Sequence, residues 1–351
     1  MKILIVASNM VHINNFHLPY IEKFKQLGHS VYVMANGEGA DFNIKFKKRA
    51  FSPKNFALSF KIRKILKKEK FDIVYLHTTL AAFWVRFAMK GMKNRPYVVN
   101  TVHGFLFSEN TSFLSRFLYL KCEKFLKKVT DDLIVMNSED CAVAIHNKLC
   151  MGKVYEINGM GVDFDKFKIE HQPKINERIN LTFVGELSKR KNQMFLVKAM
   201  KKLPNYHLTL VGDGDERKKI EKYISKNNLT DSVEITGYTK DVKKYLERTD
   251  IYVCASKIEG LPFNIMEAMG AKLPIVSSDI KGVRDLLANS NGKLYPYGDE
   301  EEYIKIVKTI NIGEIEYDID KYSLDGVLKD NMEIYTSSFD TKESEKVEIS
   351  V

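Results

Sequence analysis

Short apolar runs recur along this chain, and the stretches between them carry apolar residues every three to four positions among lysines and glutamates. Ile3-Leu4-Ile5-Val6-Ala7 is the first run; residues 8–15 read as a loop; residues 17–27 have helical spacing; Gly28 ends them, and residues 31–34 are apolar again. A continuous run of about four to eight apolar residues is what a strand buried on both faces shows. Strand, helix, strand within about thirty residues opens a doubly wound parallel sheet. Further strands are expected at 72–77, 98–101, 132–136 and 154–157, with helices at 56–70, 78–89 and 113–129. Residues 164–180 are polar, contain Pro173 and place a domain boundary. The pattern then restarts, with strands at 181–184, 208–212, 233–235, 251–255 and 274–277 and helices at 216–226 and 300–310.

One stretch stands out chemically. After the run 251–255 come Ser256-Lys257-Ile258-Glu259-Gly260-Leu261-Pro262-Phe263-Asn264-Ile265-Met266-Glu267-Ala268-Met269-Gly270. Pro262 suits the first turn of a helix, where its missing N–H is no loss. Glu259 falls at the carboxyl end of the strand and Glu267 inside the helix, on an apolar face where an unpaired carboxylate is costly. The helix N-terminus offers backbone N–H groups and a positive dipole end to a phosphate. Two acceptors for sugar hydroxyls beside an anion cradle are what a nucleotide-sugar site needs.

Glu-Gly-Leu-Pro followed by Glu267-Ala268-Met269 resembles the paired-glutamate motif of retaining glycosyltransferase family four, in its bacterial surface-polysaccharide branch. The resemblance implies an α/β chain of GT-B fold: two Rossmann-like, doubly wound domains facing across a cleft, with a C-terminal helix returning to the first domain. The implied limits are an acceptor-binding domain over 1–170 with the return helix at about 318–338, a nucleotide-sugar domain over 171–317, and a loose polar tail at 339–351. It also implies roles. Lys191 matches a lysine that binds the leaving diphosphate, with Arg190 beside it; Glu186 stands where the family commonly has arginine. Glu267 would accept from the ribose, Glu259 from the donor sugar, and His103 would contact that sugar. Gly185, Gly260, Leu261, Pro262, Phe263 and Tyr238 would line the donor, and His12 and Asn14 the acceptor. The first loop lacks the glycines that often approach the donor phosphates in this family. The implied reaction moves a sugar from a nucleoside diphosphate, UDP, to a lipid-linked saccharide with retention, in capsule, exopolysaccharide or other surface-glycan assembly. A nucleotide-sugar epimerase of the same fold and a catalytically silent synthase subunit are the alternatives.

Composition narrows this further. The chain has 351 residues, room for two domains, and its 44% hydrophobic content fits a globular protein. Apolar runs are too short to span a bilayer, and the first run is too short for a signal-peptide core. Cys122, Cys141, Cys150 and Cys254 form no close-spaced pair, which fits a cytoplasmic protein without a disulfide framework. The net charge is +10, concentrated in the first half at Lys45, Lys47, Lys48 and Arg49 and again at Lys61, Arg63, Lys64, Lys67, Lys68 and Lys70. No nucleic-acid motif accompanies it, so no nucleic-acid partner is expected; basic residues interleaved with apolar ones suit the anionic inner face of a cell membrane. Asp163-Phe164-Asp165 and Asp213-Gly214-Asp215 read as turns, so neither a metal nor another cofactor is expected.

Overall fold

The computed structural model describes residues 1–47, 49–170, 178–288 and 290–349. Lys48 and the 171–177 part of the expected linker, with Pro173, lie outside them. The chain forms two compact units, Met1–Gly161 with Asp325–Val351, and Val162–Leu324.

The first unit holds strands Lys2–Val6 (β1), Ser30–Ala35 (β2), Phe42–Asn43 (β3), Ile73–His77 (β4), Tyr97–Val102 (β5), Asp132–Val135 (β6) and Val154–Glu156 (β7). They lie in the order β3-β2-β1-β4-β5-β6-β7, and every pairing is parallel. The central strands β4 and β5 are buried along their whole length, which is why Ile73–Leu76 and Tyr97–Val99 read as apolar runs. Helices are Met10–Phe16 (α1), Leu18–Gln26 (α2), Pro53–Glu69 (α3), Thr79–Met89 (α4), Phe113–Leu126 (α5) and Ser138–Asn147 (α6). The strand order reverses between β1 and β4, and in doubly wound sheets ligands bind at the carboxyl ends beside such a reversal.

Two expectations fail locally. Residues 8–15 are not a loop: α1 forms there, capped by the Asn9 side chain, which accepts from the His12 backbone N–H at 2.9 Å. Only Ile13 of this short helix is buried, so it has no apolar period to read. The C-terminal helix is not confined to about 318–338: it spans Leu324–Ile349. Its early turns are fixed to the first unit by buried polar contacts. Asn331 Nδ2 donates to the Tyr20 hydroxyl (2.8 Å) and the Gly159 carbonyl (2.9 Å), and the Tyr75 hydroxyl donates to the Tyr335 carbonyl at 2.8 Å.

The two basic amphipathic helices differ. α3 sends Ile62 and Leu66 into the core, so much of its apolar pattern is packing. α5 buries only Glu123 and Leu126. Glu123 receives the guanidinium of buried Arg86 on α4 as a two-pronged pair, at 2.8 and 3.1 Å, and Arg86 also donates to Thr130 Oγ1. That pair fixes α5 while leaving its Phe113, Leu114, Phe117 and Leu118 face exposed.

The second unit repeats the plan. Strands are Ile179–Val184 (β8), Tyr206–Val211 (β9), Val233–Gly237 (β10), Ile251–Cys254 (β11), Ile275–Ser278 (β12) and Lys293–Tyr295 (β13), in the parallel order β10-β9-β8-β11-β12-β13. Helices are Gln193–Ala199 (α7), Arg217–Lys226 (α8), Lys243–Leu246 (α9), Phe263–Gly270 (α10), Val283–Leu287 (α11) and Glu300–Thr309 (α12). Its order reverses between β8 and β11. Among the described residues no helix is long and apolar enough to cross a membrane.

Candidate functional site

The loops after β8 and β11 meet at this second reversal. The Lys257 N–H donates to the Arg190 carbonyl at 2.8 Å, joining the loops through backbone. Glu259 is 7% exposed and lies between two cations: Arg190 Nη1 donates to its Oε2 at 2.8 Å, and Lys191 Nζ stands 2.8 Å from its Oε1, off the line of a well-aligned hydrogen bond. Burial pushes the Glu259 carboxyl up, but Lys191 and Arg190 outweigh burial and hold it below the usual carboxylate range. Lys191 is itself buried, whereas the Arg190 side chain is 42% exposed.

Pro262 is the N-cap of α10, one residue before the first turn expected for it, and it has no side-chain group to cap the helix. Asn264 anchors its start, donating to the Val184 carbonyl and the Tyr252 hydroxyl, both at 2.8 Å. Glu267 is half-buried on this helix. Burial raises its carboxyl to about 7, with Lys191 pulling the other way. A carboxyl in that state becomes a full acceptor once hydroxyl donors arrive.

Gly212 and Gly282 are glycine because backbone passes close to backbone there, at the carbonyls of Gly185 and Gly260. A Cβ on Gly212 would lie 2.0 Å from the Gly185 carbonyl oxygen, and one on Gly282 would lie 1.9 Å from that of Gly260. Leu261 is buried and Phe263 half-buried beside them. Tyr238 follows β10, the outer strand of the sheet, and is 75% exposed, so it is not gathered with the charged groups. Glu186 is exposed, while its backbone carbonyl accepts from Gln193.

The first unit has a different end. Ser8, after β1, is tied to Thr78, after β4, by N–H to Oγ1 at 3.0 Å and by the two hydroxyls at 2.7 Å. Four imidazoles gather beside this junction. His77 Nδ1 lies 3.2 Å from His103 Nε2, the His17 and His77 ring centroids are 3.9 Å apart, and those of His12 and His103 are 4.8 Å apart. Burial lowers all four, His12 to about 4, and neighbouring imidazoles push His17, His77 and His103 further down. The cluster is therefore neutral near pH 7. Asn14, on the same short helix as His12, points to solvent. His17 and His77 were not singled out from sequence. His77 ends a strand next to the reversal, the same positional signal that marks His103; His17 carries no such signal, because it falls where two helices join.

A cavity of about 980 Å³ opens elsewhere, lined by Arg63, Lys67, Phe71, Arg95, Tyr97 and Asp131. It lies at the amino ends of β4, β5 and β6, away from the end where such sheets bind ligands.

Comparison with known proteins places this geometry in a class. A family model of Glycosyltransferase Family 4 matches residues 20–164, and one of Glycosyl transferases group 1 matches residues 165–318. EpsD of Bacillus subtilis (strain 168), which bears a glycosyltransferase name, is 30% identical over 332 residues, 88% of this chain and 87% of that one. An Escherichia coli protein named UDP-Gal:alpha-D-GlcNAc-diphosphoundecaprenol alpha-1,3-galactosyltransferase is 30% identical over 258 residues, 69% of this chain and 66% of its own. Among solved structures, Anabaena Alr3699/HepE in complex with UDP matches with a TM-score of 0.66 at 19% identity, over 99% of both chains. The chain belongs to glycosyltransferase family four, and its two Rossmann-like domains have the GT-B fold. It is a glycosyltransferase of the kind that serves bacterial polysaccharide biosynthesis.

Proposed function

We propose that this protein moves a sugar from a nucleoside diphosphate donor, UDP, to a lipid-linked saccharide, with retention at the anomeric carbon and without a metal or other cofactor. The observation that carries the reading is the buried carboxylate of Glu259 held between Lys191 and Arg190, at the strand reversal and a few residues before the start of α10. The resting site holds both halves of the recognition chemistry against each other. A diphosphate offers Lys191 and Arg190 a new anion, and the sugar offers Glu259 hydroxyl donors in exchange. Preorganised cations and the α10 N-terminus then stabilise charge that builds on the departing diphosphate, the kind of contribution that is usually the largest in such transfers. Glu267 accepts from the ribose hydroxyls. His103 hydrogen-bonds the transferred sugar as a neutral imidazole, and His12 and Asn14 serve the acceptor.

Retention is assigned to same-face attack, the leaving phosphate taking the acceptor proton, because no carboxylate is marked out as a nucleophile. The relatives named above support the finer terms. One is named for a UDP-galactose donor and a diphosphoundecaprenol-linked acceptor, and a neighbour was crystallised with UDP. A cytoplasmic location at the inner face of the membrane is part of this reading, and the exposed apolar and basic α5 supports it.

The test is a thermal-shift screen against UDP-, GDP-, ADP- and TDP-sugars in EDTA. A ligand that binds only the folded state raises the melting temperature by mass action. UDP-sugars are expected to raise it and Glu267→Ala to abolish the rise. A rise with no UDP-sugar would overturn the donor assignment, and a new sugar nucleotide formed without acceptor would move the reading to an epimerase.

A further inference from the structure

The structure assigns a second capacity to the histidine end of the first sheet: a site for a transition-metal cation such as Zn²⁺ or Co²⁺, held by His12, His17 and His103. One ligand atom from each of these residues lies within 4.8 Å of the others. Zinc–imidazole bonds are about 2.0–2.1 Å long, so two ligands of one ion are at most about 4.2 Å apart. Small ring rotations therefore close the set. Two of the three rings have reason to make that movement. His17 is 1% exposed, and its Nε2 is buried without a hydrogen-bond partner; the Nε2 of His12 is in the same condition. His77 holds the third ring, its Nδ1 3.2 Å from His103 Nε2, the outer support that metal-binding imidazoles use to fix ring and tautomer.

The donor set selects the ion. Three imidazoles suit zinc, cobalt, nickel or copper, whereas calcium and magnesium require oxygen ligands. Three protein ligands leave a fourth position for water, the open arrangement of reactive rather than structural zinc sites. His12 and His103 are half-buried, the more open members of the cluster beside buried His17 and His77. The consequence for turnover rests on the reading of His103 given above: an ion bound there withdraws the imidazole from the sugar. Transfer then needs no metal, yet Zn²⁺ inhibits it.

The experiment uses tag-free full-length protein, stripped with EDTA and desalted, titrated with Co²⁺ and followed by its visible ligand-field bands. One equivalent is expected, displaced by Zn²⁺. His17→Ala and His12→Ala are each expected to weaken uptake by at least about tenfold, and His77→Ala by about tenfold. His29→Ala should leave uptake unchanged; His29 lies by the Met1 amine at 3.3 Å, the alternative nitrogen pair. Circular dichroism checks that each variant is folded, and half-buried His12 keeps the test open if His17→Ala fails to fold. No saturable bands in the wild type, or uptake indifferent to the variants, overturns the site. Bands without inhibition of transfer by Zn²⁺ leave the metal site standing and overturn the assignment of His103 to the sugar.

Discussion

The two sheets end in opposite chemistries. Each reverses its strand order once, and each gathers polar side chains at the carboxyl ends beside the reversal. In the first unit those side chains are four imidazoles kept neutral by burial and by one another. In the second they are a lysine, an arginine and a carboxylate, all charged. An uncharged, hydrogen-bonding end suits hydroxyl-rich sugar, whereas a charged end suits a diphosphate. On the reading proposed above, one architecture divides the work of a transfer by what it places after β1, β4 and β5 in one copy and after β8 and β11 in the other.

The largest effect should come from removing the buried cation of the charged end. Lys191→Ala leaves Glu259 with only the half-exposed Arg190 and removes the ammonium assigned to the leaving group. The expected loss in kcat is about 10²–10³-fold, the scale for one preorganised oxyanion-stabilising group. Arg190→Ala should cost less, because solvent already screens that guanidinium. Steady-state kinetics on both variants checks the order. Equal losses would mean that burial does not distinguish the two cations.

The difference in charge also predicts opposite responses to pH. The imidazoles have folded pKa values below the ordinary 6.5, so the unfolded chain takes up protons first. Their contribution to stability is present above pH 6.5 and is lost as pH falls below it. Glu267 is raised from 4.5 to about 7, so its contribution is complete below 4.5 and is lost as pH rises to 7, by about 3 kcal/mol at 1.36 kcal/mol per unit. Glu259 is depressed, so its own window lies below 4.5. Between pH 4.5 and 6.5, hydrogen exchange should therefore show β1 and β4 opening more readily as pH falls while β11 and α10 tighten. Glu267→Gln should flatten the response of β11 and α10 alone. Parallel slopes in the two units would break the comparison.

Much of the charged end was legible in sequence because its groups are local. Glu259, Pro262 and Glu267 fall within nine residues, and Lys191 follows a strand at a motif position. What pairs them was not legible. The Lys191–Glu259 contact joins loops nearly seventy positions apart, and it exists because β8 and β11 are adjacent in the sheet. The same holds for Gly212 and Gly282, whose need shows only when the facing carbonyls of Gly185 and Gly260 are placed. The histidine end was hardest to read, since its members come from α1, the α1–α2 junction, β4 and the loop after β5. Most strands were plain because the central ones are buried on both faces; β3, two residues long and partly exposed, was not. The short helices α1, α7, α9 and α11 were not, since four to seven residues give less than two turns of pattern.

The smallest expected effect, and the one that sharpens the division of labour, concerns the surface. Among the described residues the exposed large apolar side chains fall almost entirely in the first unit, with Tyr238 and Ile312 the exceptions in the second. The densest group is on α5, where Phe113 is 84% and Leu114 66% exposed, flanked by Arg116, Lys121 and Lys124. Its partner helix by sequence, α3, spends Ile62 and Leu66 on the core instead. α3 keeps Phe56 and Phe60 exposed, but α5 exposes more large apolar side chains and is the helix that meets a bilayer on the proposed reading; the Arg86–Glu123 pair holds it without using that face. Phe113→Asp with Leu114→Asp should lower co-sedimentation with anionic vesicles by at least about tenfold, since full burial of one such side chain contributes about 1.5–3 kcal/mol. Folding and donor binding by the second unit should be unaffected. Higher salt should weaken wild-type binding only in part, because the apolar share is not screened. If the double variant sediments like the wild type, the apolar face of α5 does not hold the protein to the vesicles and the apolar asymmetry between the units has another purpose.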